Sequence, residues 1–232
     1  MSHTVTTKQQ NKMRTKTLLL AAALSAAGIA ASMAQSNVYS LNVVGYVNVE
    51  LKAGFTMFAN PLDLDGTGLN NTVQTVFSNS LPSGSSVYPF SGGAFLPAAG
   101  YTTKGGWAGG VAGANAALKP GSSVFVSVPS TATITVVGNV VQGALSTPYN
   151  AGYNMVASPV PQAGLIQTDL GYVPQSGAST IQFDTTAQGY LPAKGFTTKG
   201  GWAPAQPNIG VAEGLWLNSP GAGAWSRNFT VQ

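Results

Sequence analysis

Residues able to do chemistry are few in this chain, and most of them sit in two near-copies of one motif. "FLPAAGYTTKGGWA" (95–108) returns as "YLPAKGFTTKGGWA" (190–203), with 11 of 14 positions identical. A Lys in a Gly-rich run beside a Trp has three readings. As a phosphate cradle it fails, because a Walker-type loop needs G-x-x-x-x-G-K-[ST], whereas Lys104 and Lys199 precede their Gly pairs. As a turn, Lys-Gly-Gly supplies positive φ at a solvated hairpin tip, and Tyr101/Phe196 and Trp107/Trp202 flank it as cross-strand pairs. As a carbohydrate platform, Tyr101, Lys104, Trp107, Phe196, Lys199 and Trp202 present amphipathic ring faces and polar neighbours to sugar rings. Two copies would then give avidity for one polymer. The hairpin is the leading expectation and the platform its competitor.

A second group lies in "DLDGTGLNN" (63–71). Asp63, Asp65 and Thr67 take the first, third and fifth places of an EF-hand-like loop, with Gly68 sixth and Asn71 ninth. The twelfth place holds Gln74 instead of a bidentate Glu, so this spacing predicts a surface turn or, at most, weak calcium binding. The remaining carboxylates are Glu50, Asp169, Asp184 and Glu213. No two of the six recur at equivalent places of the repeat described below, and a glycosidase needs two across one cleft. The chain is therefore not expected to be an enzyme, and no cofactor is expected.

The beginning of the chain bears on the charge. Lys8, Lys12, Arg14 and Lys16 precede the apolar run "TLLLAAALSAAGIAAS", and Ser32 and Ala34 stand at the −3 and −1 positions of a cut before Gln35. That is the pattern of a secretory signal peptide, with Met13 as an alternative start. The run is too short and too rich in Ala and Gly for a retained span. Four of the ten cations leave with this leader, so six face six acids and the formal charge of +4 disappears. No basic patch remains for nucleic acid or an anionic membrane. His3 leaves too, and the chain has no Cys, which excludes disulfides, thiolate–imidazole zinc sites and His-based triads. There is no lipobox Cys, second apolar segment or C-terminal aromatic, so secretion to the outer cell surface or the medium is expected.

The elements that carry these motifs read as short strands: 40–51, 54–61, 86–90, 122–129 and 132–141. In "SSVFVSVP" Val124, Val126 and Val128 alternate with Ser123, Phe125 and Ser127, placing the valines on one face. Only 71–79 predicts a helix, with Asn71 as its cap. Repeats organise the rest. "AGFTMFANPL" (53–62) matches "AGYNMVASPV" (151–160), "LKPGSSVFVSVP" (118–129) matches "IGVAEGLWLNSP" (209–220), and "TITV" (133–136) matches "NFTV" (228–231). The expected fold is all-β: a tandem duplication of a roughly 90-residue sandwich- or barrel-like module, spanning 35–143 and 144–232. Because "ITVVGNVVQ" (134–142) resembles both "FTVQ" and "LNVVGYVNVE", a shared central strand is expected to join the modules.

The pattern "NVVGYVNV…AGFTMFANPL…LKPGSSVFVSVP…TITVVGNV" resembles a family of secreted β-rich proteins of environmental Gram-negative bacteria. More distantly it is similar to bacterial surface modules with a "GWNLIS-P"-type motif. The resemblance covers residues 38–232, implies an exported β-sandwich-like module and carries no catalytic residues. The chain departs from it at Ser122 and Ser123, where the family often has an acid and Gly; the second repeat keeps Glu213-Gly214. The function expected is structural or adhesive, at the cell surface or in the extracellular matrix, with self-association by β-strand addition. The alternative is a carbohydrate-binding module whose partner is an extracellular polysaccharide.

Overall fold

β-branched and aromatic runs cut by Gly and Pro form strands here, and nearly every regular element is one. The computed structural model describes residues 43–231; the expected leader, 1–34, lies outside them. The first half runs β1 (Val44–Leu51), β2 (Gly54–Ala59), α1 (Val73–Phe77), β3 (Ser85–Ser91), β4 (Ala94–Phe95), β5 (Ala99–Thr102), β6 (Gly106–Ala108), β7 (Ser123–Val128) and β8 (Ala132–Asn139). The second half opens with β9 (Gly143–Tyr149), β10 (Gly152–Val156), β11 (Gly164–Leu165), β12 (Ser179–Ile181), β13 (Phe183–Asp184) and β14 (Gly189–Tyr190). It ends with β15 (Lys194–Thr197), β16 (Gly201–Ala203), β17 (Asn208–Ile209), β18 (Leu215–Ser219) and β19 (Gly223–Phe229).

These strands pair antiparallel into several sheets, none of which closes, so no barrel forms. The main sheet of the first half is ordered β2-β7-β3-β5-β6, with β4 folded onto β3; that of the second is β10-β18-β12-β15-β16. In both, a strand from late in the half sits between two early ones. The central strand β7 shows why. Val124, Val126 and Val128 face a core with Leu51, Phe58, Phe77 and Leu118, as the alternation predicts. Phe125 points the other way and is also buried, among Met57, Met155 and Trp216. Both faces of the sheet are covered, the second one by the other half.

A two-stranded ribbon closes each core. β1 pairs with β8 from Val44↔Asn139 to Leu51↔Ala132, and Ile134 and Val136 enter the same core as Val124 and Val126. β9 pairs with β19, bringing Tyr149 and Trp225 onto Leu215 and Leu217. Trp225 is almost wholly buried and its Nε1 donates to Leu170 O at 2.8 Å. The expected shared central strand is thus divided in two: β8 pairs with β1, and β9, starting at Gly143 (φ +86°), pairs with β19. The likeness of 134–142 to 41–50 has a simpler cause. The two segments are partners in one ribbon and carry the same inward–outward alternation.

The halves interlock through their backbones. Ala59 N donates to Ala212 O at 2.9 Å, and Ala157 N donates to Gly121 O at 2.9 Å. Phe58 bridges Glu213, and Val156 bridges Ser122. In the repeat alignment 58 matches 156, and 122 matches 213, so the residues before each half's central strand, β7 or β18, bridge to the other half's β10 or β2.

The helix α1 caps on Thr72, not Asn71. Thr75 N donates to Thr72 Oγ1 at 3.3 Å and Thr72 N donates to Thr75 Oγ1 at 2.8 Å, a reciprocal capping box. Asn71 stands one residue too early, and its buried carboxamide is committed to the preceding loop.

Candidate functional site

The duplicated motif is a hairpin in both places. Tyr101 pairs with Trp107 across β5 and β6, and Phe196 with Trp202 across β15 and β16, with ring centroids 5.1 and 5.4 Å apart. The turns match bond for bond. Gly105 N donates to Thr102 Oγ1 and Gly200 N to Thr197 Oγ1, each at 3.0 Å, and Gly106 and Gly201 both have φ +68°. That φ is why the motif ends in glycine. Lys104 and Lys199 are exposed at the tips. Of the rings, Tyr101 is buried and the others are partly buried: Trp107 packs over Phe77 with its Nε1 donating to Ser78 O at 2.7 Å, and Trp202 Nε1 donates to Gln167 Oε1 at 2.9 Å. Trp107 also walls a shallow recess with Gln74, Thr75 and Ser78. Tyr101 belongs to the first core, Trp107 packs against it, and Trp202 packs against the second.

The Asp63–Asn71 loop holds itself together with its own donors. Asp63 accepts from Gly68 N at 2.9 Å and from Asn71 Nδ2 at 2.7 Å. Asp65 accepts from Thr67 N at 2.9 Å, from Thr67 Oγ1 at 2.7 Å and from Asn70 Nδ2. These bonds, the Thr67 hydroxyl foremost, lower the Asp65 pKa below the ordinary carboxylate value. No group of three or more acidic, His or Cys side chains gathers at one point among the described residues. The other carboxylates are similarly engaged: Glu50 with Lys52, Asp169 with Leu165 N, Asp184 with Thr186 N and Ala187 N, and Glu213 with Gln182 and Gly210 N.

The exposed aromatic surface lies elsewhere, along the seam where the two main sheets meet. Buried at its centre are Met57, Phe125, Met155 and Trp216. Around them the packing repeats from one half to the other. Phe55–Phe125 and Tyr153–Trp216 are both edge-on at 6.1 Å and 88°. Phe90 meets Trp216 at 4.8 Å and 89°, and Phe183 meets Phe125 at 5.2 Å and 83°. Two apolar clefts flank this cluster. One, of about 320 Å³, is lined by Phe55, Tyr88, Phe95, Phe125, Phe183 and Tyr190. The other, of about 370 Å³, is lined by Phe90, Gly93, Tyr153, Ile181, Tyr190 and Trp216. Tyr190 borders both and is 58% exposed; Phe95, Tyr153 and Phe55 follow at 52%, 51% and 42%. No charged side chain lines either cleft.

The clefts differ at one corner. At the first, Gln188 in the β13–β14 turn reaches the edge of β2: Phe55 N donates to its Oε1 at 2.6 Å and its Nε2 donates to Phe55 O at 2.9 Å. At the second, the matching turn carries Gly93, which has no side chain to do the same. Sequence reasoning missed both clefts. The available signal was Phe125 aligned with Trp216, two large rings facing away from the valine or leucine face of their strands. Comparison of the chain with protein-family models, with curated proteins and with solved structures gives no match.

Proposed function

We propose that the chain is an exported, non-enzymatic structural or adhesive protein of the cell surface or extracellular matrix, built by tandem duplication, that self-associates through the aromatic seam. The single observation behind this reading is that one face supplies both knobs and holes. Phe55, Phe95, Tyr153 and Tyr190 stand out beside two recesses of ring size, all without charge. A face carrying both is self-complementary, as an isologous contact between copies requires. Neutrality of the chain after loss of a leader also keeps repulsion between copies small. Strand addition, of 41–49 onto the end of another copy near 228–232, is the second route to self-association; β1 and β19 pair within the chain along one edge each, with β8 and β9.

The test is sedimentation of the exported chain over a concentration series, with Tyr153→Lys and Tyr190→Lys as variants. Association of the parent chain, lost in the double variant at unchanged melting temperature, is the expected result. A parent chain that stays monomeric to its solubility limit would overturn the reading. Mass spectrometry of the exported product checks the leader, with an N-terminus at residue 35 expected.

A further inference from the structure

The seam holds a third cavity, different in kind. It opens between the halves, measures about 250 Å³ and takes polar side chains from both, Ser91 and Ser122 from the first half and Thr147 and Asn150 from the second. Phe90 and Met155 supply an apolar wall. None of the side chains of Ser91, Ser122, Thr147 and Asn150 is engaged by another group of the chain. Thr147 is only 8% exposed and lines this cavity. The frame around it is fixed: Asn154 bonds Asn150 N and O at 2.9 and 2.8 Å, and Ser123 Oγ donates to Phe58 O at 2.9 Å.

The matching place in the other half is full. Register puts Pro89 opposite Val124 beside the Tyr88↔Phe125 pair, and Gln182 follows the matching Ile181↔Trp216 pair. Ser122 corresponds to Glu213 in the reciprocal bridges. Gln182 Nε2 donates to Glu213 Oε1 and to Asn208 O, both at 2.8 Å, while Gly210 N donates to Glu213 Oε2 at 2.8 Å. A carboxamide and a carboxylate plug that half. Pro and Ser leave the equivalent volume open in this one.

We infer that this open pocket binds a small uncharged polyhydroxy compound, a single sugar ring, either free or as the terminal unit of a polysaccharide. No Lys, Arg, Asp or Glu lines it, which disfavours an ionic ligand because nothing would offset the ligand's desolvation. Hydroxyl and carboxamide groups match a ring's hydroxyl edge, and the Phe90 ring matches its C–H face. The volume lies just under the ~300–1,000 Å³ of drug-sized sites, so one ring fits and a chain of several does not. This site shares only its Phe90 wall with the second cleft and includes none of the four exposed rings invoked for self-association, so either reading can fail without the other.

The experiment is amide NMR of the full exported chain with glucose, galactose, mannose, N-acetylglucosamine and, as the charged control, glucuronic acid. Short neutral oligosaccharides form a second arm that separates free sugar from a chain end. Saturable shifts at Ser91, Ser122 and Asn150 with a neutral sugar are expected. They should vanish in P89Q/S122E, which transplants the plug, without loss of melting temperature. Should that variant fail to fold, S91A/N150A replaces it, with about tenfold weaker binding expected. No shifts with any sugar, shifts confined to the outer clefts, equal response to glucuronic acid, or full binding in the plugged variant would each overturn the inference.

Discussion

The two halves build the same seam from different small residues. Their rings pack alike, down to two edge-on pairs with the same spacing and angle. The differences sit between the rings. Gln188 clamps Phe55 where Gly93 leaves Tyr153 unclamped. Gln182 and Glu213 fill a space that Pro89 and Ser122 leave open. Ser123 and Gly214 meet across the seam, and Thr180 takes the place of Val87. Large apolar contacts therefore hold the approximate symmetry, and polar or small residues break it. Any asymmetric ligand should be sought where the symmetry breaks.

The largest expected effect concerns whether the halves are separable at all. Trp225→Ala removes a fully buried ring and its bond to Leu170 O from the second core, at a cost of about 3–5 kcal/mol. Because the residues before β18 share backbone hydrogen bonds with the end of β2, losing the second half strips partners from Ala59 and Met57 in the first. Urea unfolding of Trp225→Ala should therefore stay a single transition, superimposable by far-ultraviolet circular dichroism and by fluorescence. Two separated transitions would show that the interlock is too weak to couple the halves.

Next in size is the Ser123–Gly214 contact. A Cβ on Gly214 would overlap Ser123 Oγ and lie 2.8 Å from Ser123 Cβ and 3.1 Å from Met57 Cγ. Gly214→Ala should cost about 1–3 kcal/mol, as overpacking of a buried contact does. The exchange S123G/G214S moves the side chain to the other half without adding volume, and should restore most of the loss in a thermal melt. Failure of the exchange to rescue would mean that the site demands its present orientation, with Ser123 Oγ bonded to Phe58 O.

Much of this was legible in the sequence, for reasons that also explain the gaps. The valine alternation of β7 located a core face, and the repeated Lys-Gly-Gly located two hairpins, because both signals are local. Phe125 and Trp216 were visible only as large aligned residues; that they are covered by each other's half depends on contacts some ninety positions apart. The ribbon likeness of 41–50 and 134–142 was read as one strand used twice, since pairing partners and duplicates share the same period of two. Ser122 and Glu213 were noticed as a departure within the motif, yet only the bridge to the opposite half turns that departure into an open and a filled pocket.

A smaller effect follows from Thr180, which is buried with its hydroxyl unpartnered at the place where the first half has Val87. Thr180→Val should stabilise by about 1 kcal/mol, since an unmet buried hydroxyl is removed at constant shape. A chemical-denaturation midpoint that falls instead would mean that the hydroxyl has a partner in solution. The reverse change, Val87→Thr, should cost a similar amount and bring the first core nearer to the second.

The smallest effect tests the clamp on one cleft. Asp184 and Asp65 both have pKa values lowered below the ordinary 3.8, Asp184 by bonds from Ala187 N and Thr186 N, Asp65 chiefly by the Thr67 hydroxyl. A lowered carboxylate contributes stability that is fully present above its unfolded value and is lost as pH falls through its folded one. Acid below pH 3.8 should thus loosen both turns, by little, because both groups are solvent-exposed. The consequences differ with position. The Asp184 turn carries Gln188, whose Nε2 also donates to Thr185 O at 2.7 Å, so its loosening releases the two bonds on Phe55. The Asp65 loop has no such reach. Amide exchange at Phe55 should accelerate in acid and, at neutral pH, in Asp184→Ala but not in Asp65→Ala. Equal acceleration in both variants would tie the cleft to global acid unfolding and remove the clamp as the distinction between the two clefts.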